Sequence, residues 1–281
     1  MTMPSPTAIP VSQAPAKGPR VFQLSVTPDM AERWLAGAND HNRPLALSFC
    51  ERLARDMRQG RWQLTHEGIA FSPHGRLIDG QHRLKAVILA GVPVDMHVWF
   101  DVPPESLTAI NCGRTRTLVD ALTLSDKARH LTHNHIATLR VIVGGMAGSA
   151  RLTAAEAAAA HKQHQEALEF AHVYLPNKAG RRGVATSITR GVVARAYYSA
   201  DLDRLAAFCA VLTTGMATAP DQNAAVLLFN WLMVNSSMPA WASEQYRKIE
   251  RALAAFLQHE PLAQRRSTAT ELFPLPEEMV L

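Results

Sequence analysis

The stretch Arg76–Ala86, RLIDGQHRLKA, constrains this chain more than any other. An apolar pair, Leu77 and Ile78, runs into Asp79-Gly80, and Gln81, His82, Arg83 and Lys85 follow within two helical turns. Apolar residues ending at a turn dipeptide predict a strand, and QHRLKAVILA closed by Gly91 predicts a helix. A strand that passes directly into a helix presents that helix's first unpaired N–H groups to solvent. Two readings are open. In one, Asp79 caps the helix, and Arg83 and Lys85 are ordinary surface charges. In the other, the turn is a pocket for an anion, commonly a phosphate, held by the N–H groups and the positive end of the helix dipole. Gly80, without a Cβ, would let that ligand approach, and Arg83 would fork onto its oxygens. His82 would donate a hydrogen bond or relay a proton. Asp79 would cap the helix or hold a metal ion carried by the ligand. A basic group in the first helical turn opposes the dipole, which argues for a particular reason to keep Arg83 there.

The flanking sequence supplies the frame. VFQLSVTPDMAERWLAGAN predicts a strand and then a helix capped by Thr27, with Pro28 at its first position. NDHNRPL breaks that helix, because Pro44 disfavours helical geometry at Arg43. A second helix follows, with Leu45, Phe49, Leu53 and Met57 on one apolar stripe and Gly60 as its stop. GIAFSPHGRLIDG predicts a β-hairpin turning at Pro73-His74-Gly75. VDMHVWFDV alternates Val94, Met96, Val98 and Phe100 on one face of a strand. The order strand, helix, helix, hairpin, helix, strand defines a small α/β module from Val21 to about Pro103.

Beyond it the pattern turns helical. TAAE at Thr153–Glu156 is a capping box opening an alanine-rich helix. Further helices are expected near 133–143, 185–199, 201–213, 221–235 and 243–258. The fold class expected is thus α+β, an α/β domain followed by an α-helical one. Its divisions are an arm over 1–20, the first domain over 21–125, helices over 126–260 and an extended tail over 261–281. The arm holds five prolines and no acid, so it cannot propagate a helix or pair in a sheet, and disorder is expected.

Charge and cysteines narrow the class. A formal charge of +5 fits a polyanion partner without requiring one. Three distant cysteines, Cys50, Cys112 and Cys209, argue against a disulfide framework and fit a reducing cytoplasm. The longest apolar run, AAVLLFNWLMV from Ala224, is too short to cross a bilayer, and no secretory signal is recognisable, so no membrane partner is expected.

Three pieces, NDHNRPL, LARDMRQGRW and GRLIDGQHRLKAVILAGVPVDMHVWF, come in an order that resembles the ParB/sulfiredoxin-like superfamily. The chain is most similar to its DGQHR-bearing, ParB-like group from phages and mobile elements, over about the first 125 residues. That resemblance implies a nucleotide pocket. Members variously bind CTP as a clamp switch, use ATP to repair an oxidised cysteine, or phosphorylate a small substrate, and some are nucleases. By motif position it implies that Gly80, Gln81, His82 and Arg83 cradle the phosphates of ATP or CTP with Mg²⁺, with Asn42 and Arg43 on the opposite wall. Gln81 stands where sulfiredoxins need a cysteine, which removes cysteine-sulfinate repair. His82 replaces an arginine of the partition proteins' Gly-Glu-Arg-Arg turn, which argues against a CTP clamp.

Elsewhere, NCGRTRT places Arg114 and Arg116 beside Gly113, where they would reach the same anion or a nucleic-acid backbone; alternatively they form a basic loop before the helix begun by Thr117. Cys112 reads as buried filler rather than a reactive thiol. His130, His133 and His135 lack a completing metal ligand, and His161 and His164 read as the polar face of a helix. Lys178, Arg181 and Arg182 read as a solvated loop. If the protein is an enzyme, the expected chemistry is phosphoryl transfer or nucleotide hydrolysis. Arg83 would then stabilise the phosphates, His82 or Asp79 would act as base or Mg²⁺ partner, and Arg114 would assist. The alternatives are a non-catalytic DNA-binding or partition-type accessory factor and more weakly a nuclease; whether the chain forms a homodimer is left open by the sequence.

Overall fold

The computed structural model describes residues 18–39, 42, 44–108, 117–124, 131–177, 183–235, 242–262 and 270–280. The chain is mixed α+β and divides into two compact units, Met1–Thr115 and Arg116–Leu281.

The first unit runs β1 (Arg20–Val26), α1 (Pro28–Ala38), α2 (Leu47–Arg58), β2 (Ile69–Phe71), β3 (Leu77–Asp79), α3 (Gln81–Ala90) and β4 (Val94–Phe100). Its four strands lie in the order β1-β4-β2-β3. β4 pairs antiparallel with β1, Met96 opposite Leu24, and parallel with β2, Val98 opposite Ile69. The hairpin β2–β3 places Phe71 opposite Leu77. The alternation of β4 decides which face is covered: Val94, Met96, Val98 and Phe100 are buried against Trp34 of α1 and Leu84 and Val87 of α3. Trp34 meets Phe71 edge-on at 5.2 Å, and Phe71 stacks on Phe100 at 5.8 Å. Each such side chain contributes about 1.5–3 kcal/mol by leaving water.

One sequence expectation fails in α2. The buried face is Cys50, Ala54 and Met57, whereas Phe49 is 42% exposed. The helix starts only at Leu47, so Leu45 lies before it and the four-residue stripe loses its first member.

The second unit holds α4 (Leu118–Leu124), α5 (His133–Gly144), α6 (Ala154–Tyr174), α7 (Ser187–Ala196), α8 (Leu202–Thr214), α9 (Asn223–Asn235) and α10 (Ala242–Leu257). α7 is its axis: every residue from Thr189 to Ala196 is buried, and a Cβ on Gly191 would stand 2.3 Å from Val141 of α5. Two arginines are thereby drawn into the interior, and each finds the carbonyl end of a helix. Arg190 Nε donates to Leu175 O at the end of α6 (2.8 Å), and Arg195 Nη1 donates to Ile142 O near the end of α5. Arg204 of α8 does the same to Phe256 O of α10 (2.5 Å) while lying over the Phe256 ring. The negative ends of three helices are thus met by guanidinium groups.

One more expectation is corrected here. His164 is not on a polar face; it is fully buried at a kink in α6, with Nδ1 2.8 Å from the Tyr198 hydroxyl. Residues near the C-terminus pack on this unit. Phe273 is buried, Glu271 pairs with Arg195 (2.5 Å) and accepts from Tyr246 (2.6 Å), and Glu250 accepts from the amides of Leu272 and Phe273.

Candidate functional site

The site is built where β3 ends and α3 begins. Gly80 is the N-cap of α3 and adopts φ +103°, which L side chains rarely tolerate. A Cβ there would also stand 2.6 Å from Ile69 Cδ1, so the glycine is fixed by close packing on β2 as well as by its dihedral. Having no side chain, Gly80 cannot cap the helix, and Asp79 does not do so in its place. The Asp79 carboxylate instead stands 3.4 Å from Arg83 Nη1.

His82, the second residue of α3, accepts the backbone N–H of Ala46 at Nε2 (3.1 Å). Ala46 is the N-cap of α2 and likewise supplies no side-chain cap. The starts of α2 and α3 therefore meet at one imidazole. Neither helix has an acidic residue in its first turn. This contrasts with α1, α5, α6, α7 and α8, which begin with side-chain caps from Thr27, Thr132, Thr153, Thr186 and Asp201, and with α4, where Thr117 and Asp120 bond reciprocally. Two helix starts whose own N-cap residues supply no side-chain cap thus lie side by side, and their positive ends add.

Amides line one flank. Gln81 is buried and accepts from Asn39 Nδ2 (3.3 Å), while Asn42 Nδ2 donates to Asn39 Oδ1 (2.7 Å) and to Leu77 O (3.0 Å). On the other flank the half-exposed ring of Phe49 meets His82 edge-on at 5.7 Å, with the Arg52 guanidinium 5.4 Å from its centre.

The structure thus brings together Asn42, Asp79, Gly80, Gln81, His82 and Arg83. Arg83 is not open as expected: Nη1 donates to Gly68 O (3.0 Å) and Nη2 pairs with Glu67. Arg43, Arg114 and Arg116 lie outside the described residues, as do Cys112, His130, Lys178, Arg181 and Arg182. Sequence reasoning missed Asn39, Ala46, Glu67 and the role of Phe49. Asn39 sits at the C-cap of α1, where asparagine is common, so it gave no distinct signal.

Mg²⁺ finds no ready cage. Among the described residues no three His, Cys, Asp or Glu side chains are grouped to hold a metal ion, and Asp79 and Glu67 both face Arg83.

Two concavities in the helical unit offer less chemistry. One of about 360 Å³ contains Arg204, already engaged by Asp221 (3.1 Å) and Phe256 O. The other, about 600 Å³, is lined by Val173, Tyr174, Pro176, Ala206, Ala207, Ala210 and Thr213, without a charged side chain. Among the described residues no helix is long and apolar enough to cross a membrane.

No protein-family model, curated protein or solved structure matches the chain. The functional reading therefore rests on the site.

Proposed function

We propose that the chain is a nucleotide-binding protein with a ParB/sulfiredoxin-like first unit, whose phosphate site lies at the joined starts of α2 and α3. The observation that carries the reading is the hydrogen bond from Ala46 N–H to His82 Nε2, which brings together two acid-free helix starts whose own N-cap residues supply no side-chain cap. Such an arrangement raises the local positive potential, and an anion with several oxygens relieves it. Phe49, 42% exposed beside this point with Arg52 over its ring, supplies an aromatic and a cation against which a nucleobase could pack. That favours a nucleoside phosphate, ATP or CTP, over a bare phosphate.

The same geometry favours binding over proton transfer. The His82 nitrogen that would take a proton already accepts from Ala46, so a general-base role would first break the link between the helices. Mg²⁺ would enter as part of the nucleotide.

Thermal-shift measurements on the full chain, across a nucleotide panel with and without Mg²⁺, test this reading. A nucleotide-specific rise in melting temperature is expected. No rise with any nucleotide, together with salt-dependent DNA binding, would favour the accessory-factor reading instead.

A further inference from the structure

Arg83 makes contacts that a phosphate-binding arginine would not need. Nη1 is fixed by Gly68 O at 3.0 Å and faces Asp79 at 3.4 Å, and the side chain is only 17% exposed. Nη2 pairs with Glu67, whose side chain is 58% exposed. One end of this pair is held by the fold and the other reaches into solvent.

The backbone carrying Glu67 is also held. Trp62 Nε1 donates to Asp95 O (3.2 Å), His97 Nδ1 lies 2.6 Å from Thr65 O, and the Glu67 N–H donates to Thr65 Oγ1 (3.3 Å). Gly68 packs so tightly on β4 that a Cβ would overlap His97 O, at 1.8 Å. Movement is therefore confined to the Glu67 side chain. A carboxylate and a phosphate use the same guanidinium donors, and an exposed ion pair is weak enough to be exchanged.

We propose that Glu67 competes with the incoming phosphate for Nη2 of Arg83 and so sets the affinity of the site. This rests on the phosphate-site reading above. When the ligand binds, the Glu67 side chain swings into solvent and a phosphate oxygen takes its place, while the Gly68 carbonyl keeps the guanidinium in position. Arg83 is then an affinity-determining residue in two states, paired internally when empty and paired to ligand when filled.

Calorimetric titration of the full chain with inorganic pyrophosphate and with ATP tests this, comparing wild type, Glu67→Gln and Glu32→Gln. Glu32 is an exposed acid of α1, about two turns before Asn39, so its variant removes an equal charge without touching Arg83 or the starts of α2 and α3 and reports the general electrostatic effect. Glu67→Gln is expected to bind roughly threefold to fivefold tighter than wild type, the worth of releasing a solvent-exposed pair. Glu32→Gln is expected to change affinity by less than about twofold. If Glu67→Gln binds no tighter, or Glu32→Gln gains as much, the competition is overturned while the phosphate site stands. If neither wild type nor Glu67→Gln binds either probe, both are overturned.

Discussion

The Nε2 atom of His82 and the backbone N–H of Ala46 lie 3.1 Å apart, and this bond ties the start of α3 to the start of α2. It depends on Gly80, which turns the chain so that His82 enters the helix at its second position. Gly80→Ala places a Cβ on a left-handed backbone and 2.6 Å from Ile69 Cδ1. We expect it to lower unfolding free energy by about 2 kcal/mol, seen as a reduced urea midpoint with unchanged slope. An unchanged midpoint would show that the turn is more pliant than its packing suggests.

The buried histidines of the helical unit predict acid sensitivity. Burial lowers the His164 pKa to about 4, with Arg195 adding to the effect. Burial, His135 and Arg190 together lower that of His172 to about 3. The His172 ring stacks on His135 at 4.0 Å, and His135 is itself lowered by burial, Arg190 and His161. In the unfolded chain these groups titrate near pH 6.5. Between that pH and their folded values the unfolded state binds more protons, so stability falls as pH falls. The expected outcome is a urea midpoint that declines steadily from about pH 6.5 to about pH 4, with a shallower decline in His164→Gln.

Arg190 of α7 is nearly fully buried and donates to Leu175 O and Asn177 Oδ1, each at 2.8 Å. Arg190→Ala removes the donor that meets the end of α6 and leaves space in the core. A loss of about 2–4 kcal/mol is expected by chemical denaturation. A loss below about 1 kcal/mol would mean that water replaces the guanidinium at that helix end.

Much of the frame was legible because it depends on local chemistry. Thr27-Pro28, Thr153 with Glu156, Gly91 and the alternation of Val94 to Phe100 each specify a start, a stop or a face without distant help. What failed depends on partners far along the chain. Arg83 looked open in sequence because nothing marks Glu67 and the Gly68 carbonyl as its neighbours across β2. His164 looked polar because its environment is set by Tyr198, on another helical segment. Phe49 looked buried because an apolar stripe carries no record of where its helix begins. The importance of Ala46 could not be read from its side chain, since its contribution is a backbone N–H.

The central claim is that the joined starts of α2 and α3 hold phosphate. Ser48 lies exposed in the first turn of α2, so Ser48→Asp adds a fixed negative charge at the positive helix end. Its effects on fold and binding have opposite signs. The added charge favours the helix by about 0.3–1 kcal/mol and repels an incoming phosphate. The direct measurement is calorimetric titration of nucleoside triphosphate into wild type and Ser48→Asp, with melting temperatures recorded alongside. The account predicts saturable binding to wild type and at least roughly tenfold weaker binding to Ser48→Asp, with a melting temperature no lower than wild type. Equal binding by the two proteins, or none by wild type, would contradict it.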